Sequence, residues 1–197
     1  MKEVEITVRV NDSLENCKDI LENQGFKLIR KSLIDDIYMT QKKQFLTKDN
    51  IDDILRSCIL IRYLNADGKE FKKITYKNKV YDGANIVSEK KINVDCADLA
   101  KAKELFEAID FEQLVRVRYT VTVFSDGNKE FAFQEVENLG LALEYESTKD
   151  FEESTTEEIM KEKQSMIQEI RSCGIKVKDE SDVKKAYELI LKELLEK

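Results

Sequence analysis

Two pairs of acids in this chain alternate by two residues, Glu3 with Glu5 and Glu144 with Glu146, and two arginines do the same, Arg116 with Arg118. A spacing of two puts each pair on one face of a β-strand. Like charges packed that closely are costly unless a counter-ion lies between them. Carboxylates would hold a divalent cation, and guanidinium groups would hold a polyanion. The two halves together are the chemistry of a metal-bound polyphosphate.

The elements that must position these groups are legible as alternating patterns. In "KEVEITVRV" at 2–10, Val4, Ile6, Val8 and Val10 lie on one face, and Glu3, Glu5, Thr7 and Arg9 on the other. Further strands are expected at 34–45, 57–64, 70–78, 86–95, 114–124, 129–136 and 140–147. On them Arg62 opposes Ile61 and Tyr63, Lys77 opposes Tyr76, and Glu89 and Lys91 oppose Ile92. Arg116 and Arg118 oppose Val115, Val117 and Tyr119, while Glu144 and Glu146 oppose Leu143 and Tyr145. A sheet with one wet face explains the alternation. Two features favour inward-pointing charge: eight strands suffice to close a small barrel, and the signs are segregated by strand. Hairpin turns are expected at "NADGKE", "SDGNKE" and "NLG". Helices are expected over about 13–24, at "ADLAKAKELFEAID", from Ser154 to the Gly174 stop, and over about 181–196. Helices and strands do not alternate regularly, which argues against a doubly wound parallel sheet.

Composition narrows the function. The 197 residues fit one domain, 1–197, with C-terminal helices at about 154–196 packed on a barrel. The chain contains no histidine, which excludes Ser-His-Asp and Cys-His catalysis and histidine-ligated metals. A metal site here is made of oxygen, favouring Mg²⁺, Mn²⁺ or Ca²⁺. Cys17, Cys58, Cys96 and Cys173 form no CxxC pair and read as free thiols. The net charge of −7 argues against nonspecific nucleic-acid binding. No apolar run reaches the length of a membrane span and no signal peptide is visible, so no membrane partner and a cytoplasmic location are expected.

Taken in order, these segments resemble the CYTH family, the triphosphate tunnel metalloenzymes, which includes class IV adenylyl cyclases and thiamine triphosphatases. The family pattern ExExK is matched by Glu3 and Glu5, with Thr7 in the lysine position. "DDIY" at 35–38 resembles the second-strand motif, with Thr40 in place of a later aspartate. "ILIRY" supplies Arg62 but has Leu60 for the first arginine, and "ITYK" supplies Lys77. "SEKK" keeps Glu89 and has Lys91 for a second acid, and "VRVRY" supplies Arg116 and Arg118. "FQEVENLGLALEYE" keeps Glu144 and Glu146 and has Gln134 for an aspartate.

The resemblance implies an α+β fold, an eight-stranded antiparallel barrel or tunnel with a charged interior and helices outside. It implies Mg²⁺ or Mn²⁺ on Glu3, Glu5, Glu89, Glu144 and Glu146, and substrate phosphates on Arg62, Lys77, Arg116 and Arg118. The substrate would be ATP, thiamine triphosphate or inorganic triphosphate, and the protein a monomer or homodimer. Because Thr7 cannot supply a lysine's charge, Arg9, of the same strand parity, is the expected catalytic replacement. The alternative is a catalytically weak or inactive triphosphate-binding module, since Thr7, Leu60, Lys91 and Gln134 depart from the pattern.

Overall fold

The computed structural model describes residues 4–42, 45–82, 85–149 and 151–196, and for 81–89 only the backbone path. Glu3 lies outside the described residues, and the side chain of Glu89 does too. Eight strands form one antiparallel sheet: β1 (Glu5–Arg9), β2 (Lys27–Gln41), β3 (Ser57–Ala66), β4 (Lys69–Asp82), β5 (Asn85–Asp95), β6 (Phe111–Ser125), β7 (Glu130–Val136) and β8 (Gly140–Glu146). Their spatial order is β1-β8-β7-β6-β2-β3-β4-β5. The sheet curls around a cavity without backbone closure, because β1 and β5 are its two edges. Side chains span that gap, with Lys91 of β5 placing its Nζ 4.0 Å from Glu5 of β1.

Turn chemistry sets the hairpins. Asp67 and Gly68 both take positive φ between β3 and β4, the conformation a two-residue hairpin loop needs. Asn138 and Gly140 do the same between β7 and β8.

Among the described residues there are five helices: α1 (Leu14–Glu22), α2 (Ile51–Arg56), α3 (Leu99–Ala108), α4 (Thr156–Ser172) and α5 (Lys185–Leu195). Ser13 caps α1 through Asn16, as its position suggests. The cap of α4 is Thr155 rather than Ser154, in a capping box with Glu158. The six residues of α2 are too few to leave a periodic signature in the sequence.

Two apolar cores result, on opposite sides of the sheet. Outside it, α1 and α4 cover Ile6, Val8, Phe131, Phe133 and Leu143. Inside its curl, α2 and α5 fill one end of the tunnel, packing Leu55, Leu189 and Ile190 on Leu60, Val117 and Tyr119. The second core decides which strand faces can be wet.

Among the described residues no helix is long and apolar enough to cross a membrane. Cys17, Cys58 and Cys173 are buried free thiols, and burial pushes the Cys17 thiol up to about 11.

Candidate functional site

The unfilled part of the curl is a cavity of about 730 Å³, within the range of small-molecule sites. Its walls follow strand parity. Leu60 and Arg62 point inward from β3, Lys73, Thr75 and Lys77 line it from β4, and Lys91 and Asn93 from β5. Glu5 and Thr7 line it from β1, Gln134 from β7 and Glu144 from β8. Basic lining residues outnumber acidic ones, so the cavity favours anions although the chain as a whole is acidic.

Arg62 is fixed by Asp36, which is almost fully buried. Its Nε and Nη2 donate to the two carboxylate oxygens, each at 2.6 Å. Burial opposes the Arg62 charge, but the hydrogen bonds and negative charge of Asp36 outweigh it and hold the guanidinium protonated. Among the described residues no hydrogen bond engages Nη1.

The closed end is built by the C-terminal part of the chain. Ser181 accepts a hydrogen bond from the Thr7 N–H at 3.0 Å, and Val183 donates to the Thr7 carbonyl at 2.8 Å, so this stretch continues the sheet beyond β1. It delivers α5 into the tunnel. Lys184 donates to both Asp52 oxygens at 3.0 Å. Lys185 donates to Gln134 Oε1 at 2.5 Å and lies 4.4 Å from the centroid of the Tyr119 ring. Gln134 in turn donates to Glu144 at 2.9 Å. No carboxylate pairs directly with Lys185 among the described residues, and burial lowers its pKa. α5 also begins here without a side-chain cap, so the positive end of its dipole adds to the two lysines.

The expected site residues therefore divide. Glu5, Arg62, Lys77 and Glu144 line one cavity. Glu146 is exposed and pairs with Glu5 across β1 and β8, on the same sheet face as Glu144. Glu89 pairs with Lys79 in the backbone register.

Arg116 and Arg118 do not converge on the cavity. They lie on the outer face, where Arg116 donates to both Asp35 oxygens and Arg118 lies 3.2 Å from Asp35. The reason is the inner core: α5 packs on Val117 and Tyr119, so the apolar face of β6 is the inner one. Arg9 is likewise outside the cavity lining. It donates to Glu188 of α5, to Glu180 at 3.2 Å and to the Leu139 carbonyl at 2.9 Å, clamping α5 to the sheet.

The residue the sequence reading missed is Lys185. Its signal was a lysine pair opening an amphipathic helix, where the dipole disfavours positive charge.

Of the cavity carboxylates, Asp36, Asp52 and Asp182 are paired with Arg62, Lys184 and Lys163, and Glu5 and Glu144 come from the expected metal set, with oxygens that suit a hard cation. Among the described residues no group of three or more acids forms a complete cage. One or two carboxylates plus substrate phosphates is the usual Mg²⁺ arrangement, and the residues present fit it.

No protein-family model matches this chain. A Methanocaldococcus jannaschii protein named a "putative adenylate cyclase" is 30% identical over 149 residues, covering 75% of this chain and 78% of its own. The structure of the PH1819 protein from Pyrococcus horikoshii superposes with a TM-score of 0.70 at 21% identity, covering 97% of this chain and 99% of that one. A Hippeastrum structure, described as a "putative adenylyl cyclase" that reveals a dominant triphosphatase activity, gives a TM-score of 0.61 at 13% identity, covering 97% and 96%.

Proposed function

This chain belongs to the CYTH family of triphosphate tunnel proteins, and from that premise we propose that it acts on a triphosphate-containing small molecule held in the cavity with Mg²⁺ or Mn²⁺. The observation that carries this reading is the cavity wall: cations from β3, β4, β5 and α5 face carboxylates on β1 and β8. Arg62 Nη1 and Lys77 hold phosphate oxygens, the first as part of a fixed planar fork and the second as a point charge. Lys185, rather than Arg9, supplies the cation missing at Thr7. Glu5 and Glu144, with Glu146, Glu3 and Glu89 as further candidates, hold the metal. When bound, the ion neutralises phosphate charge and favours attack at phosphorus. In a triphosphatase, water attacks the terminal phosphorus and its bridging P–O bond breaks. In a cyclase, the ribose 3′-hydroxyl attacks the α-phosphorus and pyrophosphate leaves.

A second reading, binding without turnover, draws on Thr7 and on the hydrogen bond by which Gln134 occupies Glu144. One experiment addresses both. ATP, thiamine triphosphate and inorganic triphosphate are each incubated with Mg²⁺ and with Mn²⁺, scoring binding, phosphate, pyrophosphate and cyclic nucleotide separately. Metal-dependent product from at least one substrate is the expected result. Tight binding without product selects the second reading, and no binding of any of the three overturns both.

A further inference from the structure

The first turn of α5 has no side-chain cap, so contacts outside the helix must fix it. Lys184 bonds Asp52 of α2, Lys185 bonds Gln134 of β7, and Glu188 accepts from Arg9 of β1. The last two contacts belong together. Arg9 lies opposite Ala142 on β8, and Ala142 lies opposite Gln134 on β7. Arg9 and Gln134 are therefore the two ends of one register row. Lys185 and Glu188 are three residues apart and are neighbours on one helix face. The turn thus spans the row, anchored at one end through a lysine and at the other through a carboxylate.

The two anchors differ in strength. Arg9 is held from several sides: its side chain also bonds Glu180 and the Leu139 carbonyl, and its own carbonyl accepts from the Lys178 N–H at 3.0 Å. It grips both α5 and the stretch that leads into it. The side chains of Arg9 and Glu188 are 21% and 29% exposed, so water screens this pair less than an open surface one. Lys185, by contrast, is held by a neutral amide and by the face of the Tyr119 ring. Burial works against its charge. A cation placed on such weak partners keeps its position only if the turn that carries it is pinned elsewhere.

We propose that Arg9 is a positioning residue for the phosphate site: by gripping Glu188 it keeps Lys185 at the cavity wall, where Lys185 meets the phosphates of the ligand. This rests on the triphosphate reading, in which Lys185 is a phosphate-binding cation. Arg9 itself lies outside the cavity lining, and its effect passes through one turn of α5.

The test is a double-mutant cycle. Calorimetry measures the Kd of inorganic tripolyphosphate with Mg²⁺ for wild type, Arg9→Met, Lys185→Met and the double variant, while urea denaturation reports stability. Arg9→Met should weaken binding by roughly 3- to 30-fold alone but by less than about twofold when Lys185→Met is already present, the non-additivity of residues in one network. Arg9→Lys, which keeps a cation for Glu188, should recover part of the loss. Glu188→Gln, made on the helix rather than on the sheet, should repeat the pattern and replaces Arg9→Met if that variant does not fold. Lost stability with unchanged affinity, or equal weakening in both backgrounds, overturns the inference and leaves the triphosphate reading standing, because Arg9 is then a stability contact alone. Affinity that ignores Lys185→Met overturns it too, since Arg9 would have no phosphate cation to position. No binding of tripolyphosphate by wild type overturns the triphosphate reading and this inference with it.

Discussion

Asp35 and Asp36 are consecutive residues on β2, and each fixes an arginine, but on opposite sides of the sheet. Asp36 is buried and takes two 2.6 Å hydrogen bonds from Arg62, inside the curl. Asp35 takes the paired hydrogen bonds of Arg116, whose side chain is 50% exposed, and the approach of Arg118 on the outer face. The chemistry of the two pairs is the same, and the surroundings are not. Inside, low dielectric makes an uncompensated charge expensive, so Arg62 is held in one place and can present a remaining N–H to a ligand. Outside, water screens the pair, and the arginines add little beyond surface charge.

The contrast breaks most visibly when the inner arginine is removed. Arg62→Met leaves Asp36 buried without its cation. The expected loss is about 3–5 kcal/mol of stability, the usual cost of orphaning one partner of a buried pair. Urea denaturation checks it. Adding Asp36→Asn to Arg62→Met should restore much of the loss, because no buried charge is then left alone. A single-variant loss below about 1 kcal/mol would mean that water reaches Asp36 and that the inner site is not a low-dielectric one.

Most of the fold was legible from alternation and turn residues. The eight strands, the hairpins at Asp67-Gly68 and Asn138-Leu139-Gly140 and four of the five described helices follow from local pattern, although β2 begins at Lys27 rather than 34 and α5 at Lys185 rather than about 181. What alternation does not tell is which face of a strand is the inside. On β8 and β4 the polar face is inner because helices or solvent take the other side: Glu144 and Lys77 line the cavity. On β6 the apolar face is inner, because α5 fills that end of the curl. The position of α5 depends on residues 181–183 joining the edge at Thr7, a contact between distant parts of the chain that no local pattern encodes. The same event sends Arg116 and Arg118 outward and brings Lys185 inward. On β5 the pattern misleads in another way: Ile92 and Val94 face out and are 47% and 57% exposed.

Lys185 sharpens the comparison from the opposite direction, as an inner cation that no carboxylate neutralises among the described residues. Lys185→Met should weaken triphosphate binding by roughly 10- to 100-fold, the worth of one charge-assisted hydrogen bond. The same change should raise the stability of the ligand-free protein by about 1 kcal/mol at neutral pH, since a buried charge is removed. The pH dependence has a definite sign. Burial sets the folded pKa of Lys185 below its unfolded value. Its burial cost is therefore complete below the folded pKa and disappears as pH rises through the unfolded one, near 10.4. The stability advantage of Lys185→Met should shrink toward pH 10. An advantage that grows with pH, or an unchanged triphosphate affinity, would remove Lys185 from the site.

The smallest effect belongs to the outer pair. Arg116→Ala leaves Asp35 with Arg118 at 3.2 Å and in contact with water. The expected stability loss is about 0.5 kcal/mol at low salt, as for other exposed ion pairs. It should fade by 1 M salt, where the screening length falls to about 3 Å. Triphosphate affinity should stay within about twofold of wild type, since the guanidinium is separated from the cavity by the thickness of the sheet and the screened field across it is weak. Calorimetry with tripolyphosphate is the decisive measurement, because it reads phosphate recognition alone. A tenfold weakening there would mean that Arg116 reaches the phosphates after all. β6 would then have to present its charged face inward, and the opposite placement of Asp35 and Asp36 on β2 would have to be given up with it.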